Sequence, residues 1–229
     1  MKAIKAELIR FMMSYKFALS EISTKIDILK QEFQYIHEYN PFEHVNSRMK
    51  TLESIINKAK RKGSDFSLKS IKENIRDIAG VRIICSFVSD IYVISEMLEK
   101  QKDIHVIESK DYIQNPKPNG YQSLHLIVQI PVFMSDREEH VCVEIQIRTI
   151  AMDFWASLEH KIYYKYNKEI PKTMRDELKE AAITAAQLDA KMEKINQEVN
   201  KIKETDTEDE LRDLMGNNER LPLPYEIME

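Results

Sequence analysis

HVCVEIQIRT, residues 140–149, alternates without a break: Val141, Val143, Ile145 and Ile147 fall on one side, and Cys142, Glu144, Gln146 and Arg148 on the other. Side chains of a strand point alternately to its two faces, so this run offers one apolar face to a core and leaves one polar face over. Two further runs share the period. SLHLIVQIPVF (123–133) sets Leu124, Leu126, Val128 and Ile130 against His125, Ile127 and Gln129, and VRIICSF (81–87) sets Val81 and Ile83 against Arg82. A shorter strand is expected at 104–109. A half-solvated antiparallel sheet would alternate in this way with no function attached. The argument for chemistry therefore rests on what the polar sides carry: a glutamate, two glutamines, a histidine and two arginines.

Helical spacing frames these strands. Ile4, Leu8, Phe11, Tyr15, Ala18, Ile22, Ile26, Leu29, Phe33 and Ile36 recur at steps of three and four, and Asn40-Pro41 closes that helix. A second helix is expected over 47–62, stopping before Gly63. A third follows Ser89-Asp90, read as its N-cap, and a fourth runs on from Thr149. Beyond Pro171, Leu178, Ala181, Ala185, Leu188, Met192, Ile195, Val199 and Ile202 keep a sustained 3.5-residue repeat. Such a seam packs against another helix, either the N-terminal one or that of a second subunit. The expected class is α+β: a mixed central β-sheet flanked by long N- and C-terminal helices. It forms a single domain over 1–229, with N-terminal helices (1–75), a sheet core (76–165) and a C-terminal helical region and tail (172–229).

Composition narrows the function. No window approaches the roughly 18–20 apolar residues of a membrane span, and Glu7, Arg10 and Lys16 break the N-terminus as a secretory segment. The two cysteines, Cys85 and Cys142, lie in strand-like runs and are expected as buried free thiols of a reduced, cytoplasmic protein. The net charge is −4, yet residues 46–82 hold ten basic residues against four acidic ones, and the chain from Lys203 is acidic. A local basic segment in an acidic protein suits a discrete anionic ligand better than long nucleic acid.

Asp77 and Glu144 adjoin the polar side of the sheet from distant parts of the chain. Two hard oxygen ligands on a rigid frame suit Mg²⁺, which keeps waters and takes phosphate oxygens for the rest. With basic residues around them they suggest phosphoryl-type transfer. Gly80, one of four glycines, is expected where a side chain would crowd the chain. Between the strands, NPKPNGYQSLHL (115–126) adds stiffening prolines, Lys117, a turn-permitting Gly120 and Tyr121 at the mouth of a strand.

RDIAGVRII, KPNGYQSLH and EIQIRTIAMDFWASLEHKIYY, in that order, resemble the (p)ppGpp synthetase domain of RelA/SpoT-type proteins, and the chain's brevity is similar to the small alarmone synthetases. The resemblance implies a nucleotidyltransferase-like fold. It also implies transfer of the β,γ-pyrophosphate of ATP to the ribose 3′-hydroxyl of GDP or GTP, within the stringent response. By the same resemblance Asp77 and Glu144 hold Mg²⁺, and Glu144 activates the 3′-hydroxyl. Arg48 and Arg82 sandwich adenine, and Lys50, Lys58 and Arg61 face the ATP phosphates. Tyr121 stacks on guanine, with Lys117, His125, Gln146 and Arg148 around the acceptor. Asp153 stands where relatives often carry asparagine, which leaves the choice between GDP and GTP open. With no His-Asp dipeptide, synthesis without hydrolysis is implied, as is a homotetramer. A different reading is a non-catalytic module for nucleotide or single-stranded RNA; the pair Asp77 and Glu144 argues against it.

Overall fold

The computed structural model describes residues 2–165 and 170–216. In chain order the elements are α1 (Lys2–Ile36), β1 (Phe42–Met49), α2 (Leu52–Lys62), α3 (Leu68–Asn74), β2 (Ala79–Cys85), α4 (Val88–Glu99), β3 (His105–Asp111), β4 (Leu124–Phe133), β5 (Glu138–Thr149), α5 (Ile150–Lys165) and α6 (Lys172–Gly216). The strands form one mixed sheet in the order β1-β2-β5-β4-β3; β2 and β5 run parallel and every other pair is antiparallel.

The apolar strand faces build the core as the alternation requires. Leu126, Val128, Val141, Val143, Ile145 and Ile147 are fully buried, and α1 packs across β1, β2, β4 and β5 with Tyr15, Ala18, Ile22, Ile26 and Leu29 turned inward. α4 covers β5 and β2. That leaves the opposite face of the sheet free for polar groups.

Several expectations are corrected. The helix expected over 47–62 is shorter: Phe42–Met49 is an edge strand paired with β2, and the helix begins after Thr51, whose hydroxyl caps it. The strand escaped notice because only one of its faces meets the core, so its exposed positions are polar and mimic a helix start. α4 is capped at Phe87; Asp90 lies in its first turn and accepts from the Phe87 N–H at 2.9 Å. Gly80 lies within β2, and a Cβ there would meet only ordinary contacts, 3.6 Å from the Glu144 carbonyl and 4.0 Å from Arg48 Cγ. Cys85 is buried and free, whereas Cys142, also free, is half-buried because it lies on the polar face.

The described residues up to Asp189 form one compact unit, and the rest of α6 belongs to a second. In the first unit α6 turns Ala182 and Asp189 inward. The heptad positions Leu188, Met192, Ile195, Val199 and Ile202 are exposed. Of the acidic C-terminal stretch, the part beyond Gly216 lies outside the described residues. No helix of the described residues is long and apolar enough to cross a membrane.

Candidate active site

The strand registers align the polar residues into two rows across the sheet. One runs Asn46, Arg82, Gln146, His125 and Lys110; the next, two residues along each strand, runs Arg48, Gly80, Glu144, Ile127 and Glu108. Gly80 therefore leaves a gap between Arg48 and Glu144. These two residues, with Arg82 and Gln146, line the small hollow that results. A larger cavity of about 480 Å³ adjoins it through Glu144 and is lined by Lys58, Asp77, Lys110, Tyr112, Lys117 and His125 among others. A third hollow shares Arg48, Arg82 and Gln146 with the first and reaches Tyr121 and Arg148.

Asp77 enters from the segment before β2. Its Oδ2 takes both Lys58 Nζ at 2.5 Å and Lys50 Nζ at 3.1 Å. Burial pushes this carboxyl up, but the Lys58 hydrogen bond and the charges of Lys50 and Lys58 outweigh it and hold Asp77 below the usual carboxylate range. Its Oδ1 is buried and has no hydrogen-bond partner. That orphaned oxygen faces the chemistry of a hard cation. No cluster of three or more His, Cys, Asp or Glu able to hold a metal occurs among the described residues. Mg²⁺, which binds through one or two carboxylates and completes its shell with phosphate and water, fits such a sparse donor set.

Glu144 is the end point of a hydrogen-bonded circuit. Arg148 Nη2 donates to the Tyr121 hydroxyl at 2.6 Å and to Gln146 Oε1 at 2.8 Å. The Tyr121 hydroxyl lies 2.7 Å from His125 Nε2, and His125 Nδ1 lies 3.5 Å from Glu144 Oε1. The Gln146 amide donates to Glu144 Oε2 at 2.9 Å. With the proton on Nδ1, both arms run from Arg148 to the carboxylate, each link polarising the next. Burial drives the His125 imidazole below its ordinary value, more than Glu144 restores, so it serves this circuit as a neutral ring. Burial pushes Glu144 up, but the His125 and Gln146 hydrogen bonds bring it below the usual range.

The residues expected around the acceptor lie together. Lys117 Nζ sits over the rings of both Tyr112 (4.5 Å) and Tyr121 (4.6 Å), and the Arg148 guanidinium lies 5.1 Å from the Tyr121 ring centre. Tyr121 is therefore half-buried and flanked by cations, held ready by its hydroxyl. Arg148 is buried behind it and supports it. Asp153, from α5, is ion-paired with Arg82 Nη1 at 3.1 Å and accepts from Arg148 Nη1 at 3.2 Å. Burial and the charges of Arg148 and Arg48 push Arg82 down, against the pull of Asp153. Arg48 reaches the site from strand β1, not from a helix. Arg61 is exposed on α2 and lines none of these three hollows; Lys62, one turn beyond Lys58, lines the large one. Lys110 and Tyr112 escaped the sequence reading. They stand at the end of a weakly patterned strand, and only the pairing of Lys110 with His125 reveals them.

Cationic side chains gathered around Asp77 and Glu144 at the polar side of a mixed sheet are suited to handling nucleotides and phosphates. Residues 47–169 match the family described as the region found in RelA / SpoT proteins. The GTP pyrophosphokinase YwaC of Bacillus subtilis (strain 168) is 59% identical over 185 residues, covering 81% of this chain and 88% of that protein. The crystal structure of small alarmone synthetase 2 from Bacillus subtilis superposes with a TM-score of 0.77 at 54% identity, over 84% of this chain and 99% of the other. Small alarmone synthetase 1 from the same organism, bound to its product pppGpp, gives 0.78 at 41% identity, over 84% and 98%. The chain belongs to the RelA/SpoT family.

Proposed function

We infer that this protein is a GTP pyrophosphokinase: it transfers the β,γ-diphosphate of ATP to the 3′-hydroxyl of GDP or GTP, giving AMP and ppGpp or pppGpp. The observation that carries the reading is the convergence of Asp77, Glu144, Lys58, Lys117 and His125 on one cavity that shares Glu144 with the Arg48–Arg82 hollow.

In this reading Arg48 and Arg82 hold the adenine between guanidinium planes. Lys50 and Lys58 turn from Asp77 to the ATP phosphates. Asp77 through Oδ1, together with Glu144, would hold Mg²⁺, which when bound offsets charge on the phosphates. Tyr121, between Lys117 and Arg148, receives the guanine, with Lys117 shifting from its ring to the acceptor's phosphates. The 3′-hydroxyl is a poor nucleophile until a positioned base accepts its proton, and Glu144 is that base. The 3′-oxygen, its proton passed to Glu144, then bonds to the β-phosphorus as the bond from that phosphorus to the oxygen leaving with AMP breaks. Gln146 and the His125 imidazole keep the carboxylate oriented, and Asp153 keeps Arg82 and Arg148 apart in register. We assign the protein to the cytoplasm and its exposed α6 face to a homotetramer.

The test is direct. Protein incubated with Mg²⁺, γ-labelled ATP and GDP should place label in ppGpp and release AMP, resolved by thin-layer separation. Label appearing only in free phosphate, with ADP, would refute the assignment.

A further inference from the structure

The beginning of α6 meets the acceptor side of the site along one face. Ala182 and Asp189 are buried there, while Ile183 and Leu188 on the other side are about half exposed. Three contacts join this face to the site. The Trp155 indole N–H donates to the Leu178 carbonyl at 2.8 Å. The Thr149 hydroxyl donates to the Asp189 carboxylate at 2.6 Å. Between them Ala182 packs with Trp155, Ala156 and Tyr121, and a Cβ placed on Gly120 would come 2.5 Å from that of Ala182.

Each contact is one or two residues from an acceptor-side group: Gly120 precedes Tyr121, Thr149 follows Arg148, and Trp155 lies two beyond Asp153. The loop is closed on itself, Gly120 N–H to the Lys117 carbonyl at 2.8 Å and Lys117 N–H to the Tyr121 carbonyl at 3.1 Å. These two bonds brace it as one unit. Its seat is the helix: Asn119 donates to Glu159 on α5 at 3.1 Å, and Gly120 abuts Ala182 on α6.

Resting on the reading of Lys117 and Tyr121 as the guanine side, we propose that Ala182 is a positioning residue for the acceptor nucleotide. It is the stop against which the 117–121 loop seats, so α6 sets guanine-nucleotide affinity without touching the nucleotide. A residue that only filled the core would, when enlarged, lower stability and affect both substrates alike.

The experiment compares wild type, Ala182→Leu and the smaller step Ala182→Cys, with Ile183→Ala on the exposed face as control. Trp155 is the chain's one tryptophan and packs in the same cluster, so its emission reports the loop directly. Titration with GDP should shift it in wild type, and titration with α,β-methylene-ATP should not. In Ala182→Leu the Kd and KM for GDP should rise about tenfold or more, a misplacement effect, with the KM for ATP and kcat at saturating GDP little changed. Ala182→Cys, the fallback if the leucine variant does not fold, should show the same selective shift at smaller size, and Ile183→Ala none. An equal loss for both nucleotides, or folded variants that keep wild-type GDP affinity, would overturn the proposal. Wild type that binds GDP yet makes no ppGpp would sink the reaction assigned above while the Trp155 titration still decided this one.

Discussion

Asp153 Oδ1 lies 3.1 Å from Arg82 Nη1, joining helix α5 to strand β2 across the middle of the site. The same oxygen takes Arg148 at 3.2 Å, so one carboxylate stands between two guanidinium groups that would otherwise repel. It holds them in place and cancels part of the charge offered to an anionic substrate.

Asp153→Asn keeps an acceptor oxygen and removes the charge. The unbalanced guanidinium groups should attract phosphate more strongly, lowering the KM for the guanine nucleotide about three- to tenfold, as expected for one charge near a protein surface. The folded state should lose about 1 kcal/mol, a modest figure because the pair is partly solvated. Steady-state kinetics and urea unfolding give both numbers. A KM that rises would mean that Asp153 itself contacts the nucleotide.

Glu144→Gln removes the proposed proton acceptor at nearly constant shape. Product formation should fall by about 10²–10⁴, the usual contribution of a positioned base. ATP binding, followed by equilibrium dialysis, should persist, since Arg48 and Arg82 are untouched. A variant that turned over near the wild-type rate would leave Glu144 without its catalytic role.

The circuit through His125 also sets a pH dependence. Its imidazole is held below its unfolded value by burial, so as pH falls the unfolded chain takes the proton first. Stability is therefore full above about pH 6.5, the unfolded value, and declines as pH drops towards the folded one. The carboxyls of Asp77 and Glu144, also lowered, withdraw their contributions further down, through the acid range. Urea midpoints measured from pH 8 to 4 should show both stages, and His125→Asn should lack the first. An unchanged first stage in that variant would assign it elsewhere.

Much of this was legible in residue order. The period of two in 123–133 and 140–149 placed Glu144, Gln146 and His125 on one face, because burial of the other face fixes register. Asp77 pairs with Lys50 and Lys58, a contact that the separate motifs did not state. What stayed hidden depends on pairing between strands. Arg48 sits on an edge strand whose exposed positions look helical. Lys110 and Tyr112 matter only through the register of β3 on β4. Gly80 proved to open a gap between two side chains, which only the cross-strand rows could reveal. The clamp by Asp153 needs a helix folded back over the sheet end, and one-dimensional spacing carries no trace of that.

Asp77 gives the last prediction, because its two oxygens have different tasks. Oδ2 is held by Lys50 and Lys58, and Oδ1 is buried without a partner. Asp77→Asn keeps an oxygen but loses the charge that both ammonium groups share and that the proposed Mg²⁺ would use. Transfer should fall at least a hundredfold, the scale of several kcal/mol of lost charge stabilisation. The Mg²⁺ concentration for half-maximal rate should rise in the same variant, while the GDP-dependent emission change of Trp155 should survive, since the acceptor loop lies on the other side of Glu144. Lys58→Met separates the two tasks. It leaves Oδ2 to Lys50 alone, so the KM for ATP should rise while the Mg²⁺ requirement falls or stays level. A Mg²⁺ requirement that rises in Lys58→Met, or stays unchanged in Asp77→Asn, would remove the metal from this carboxylate.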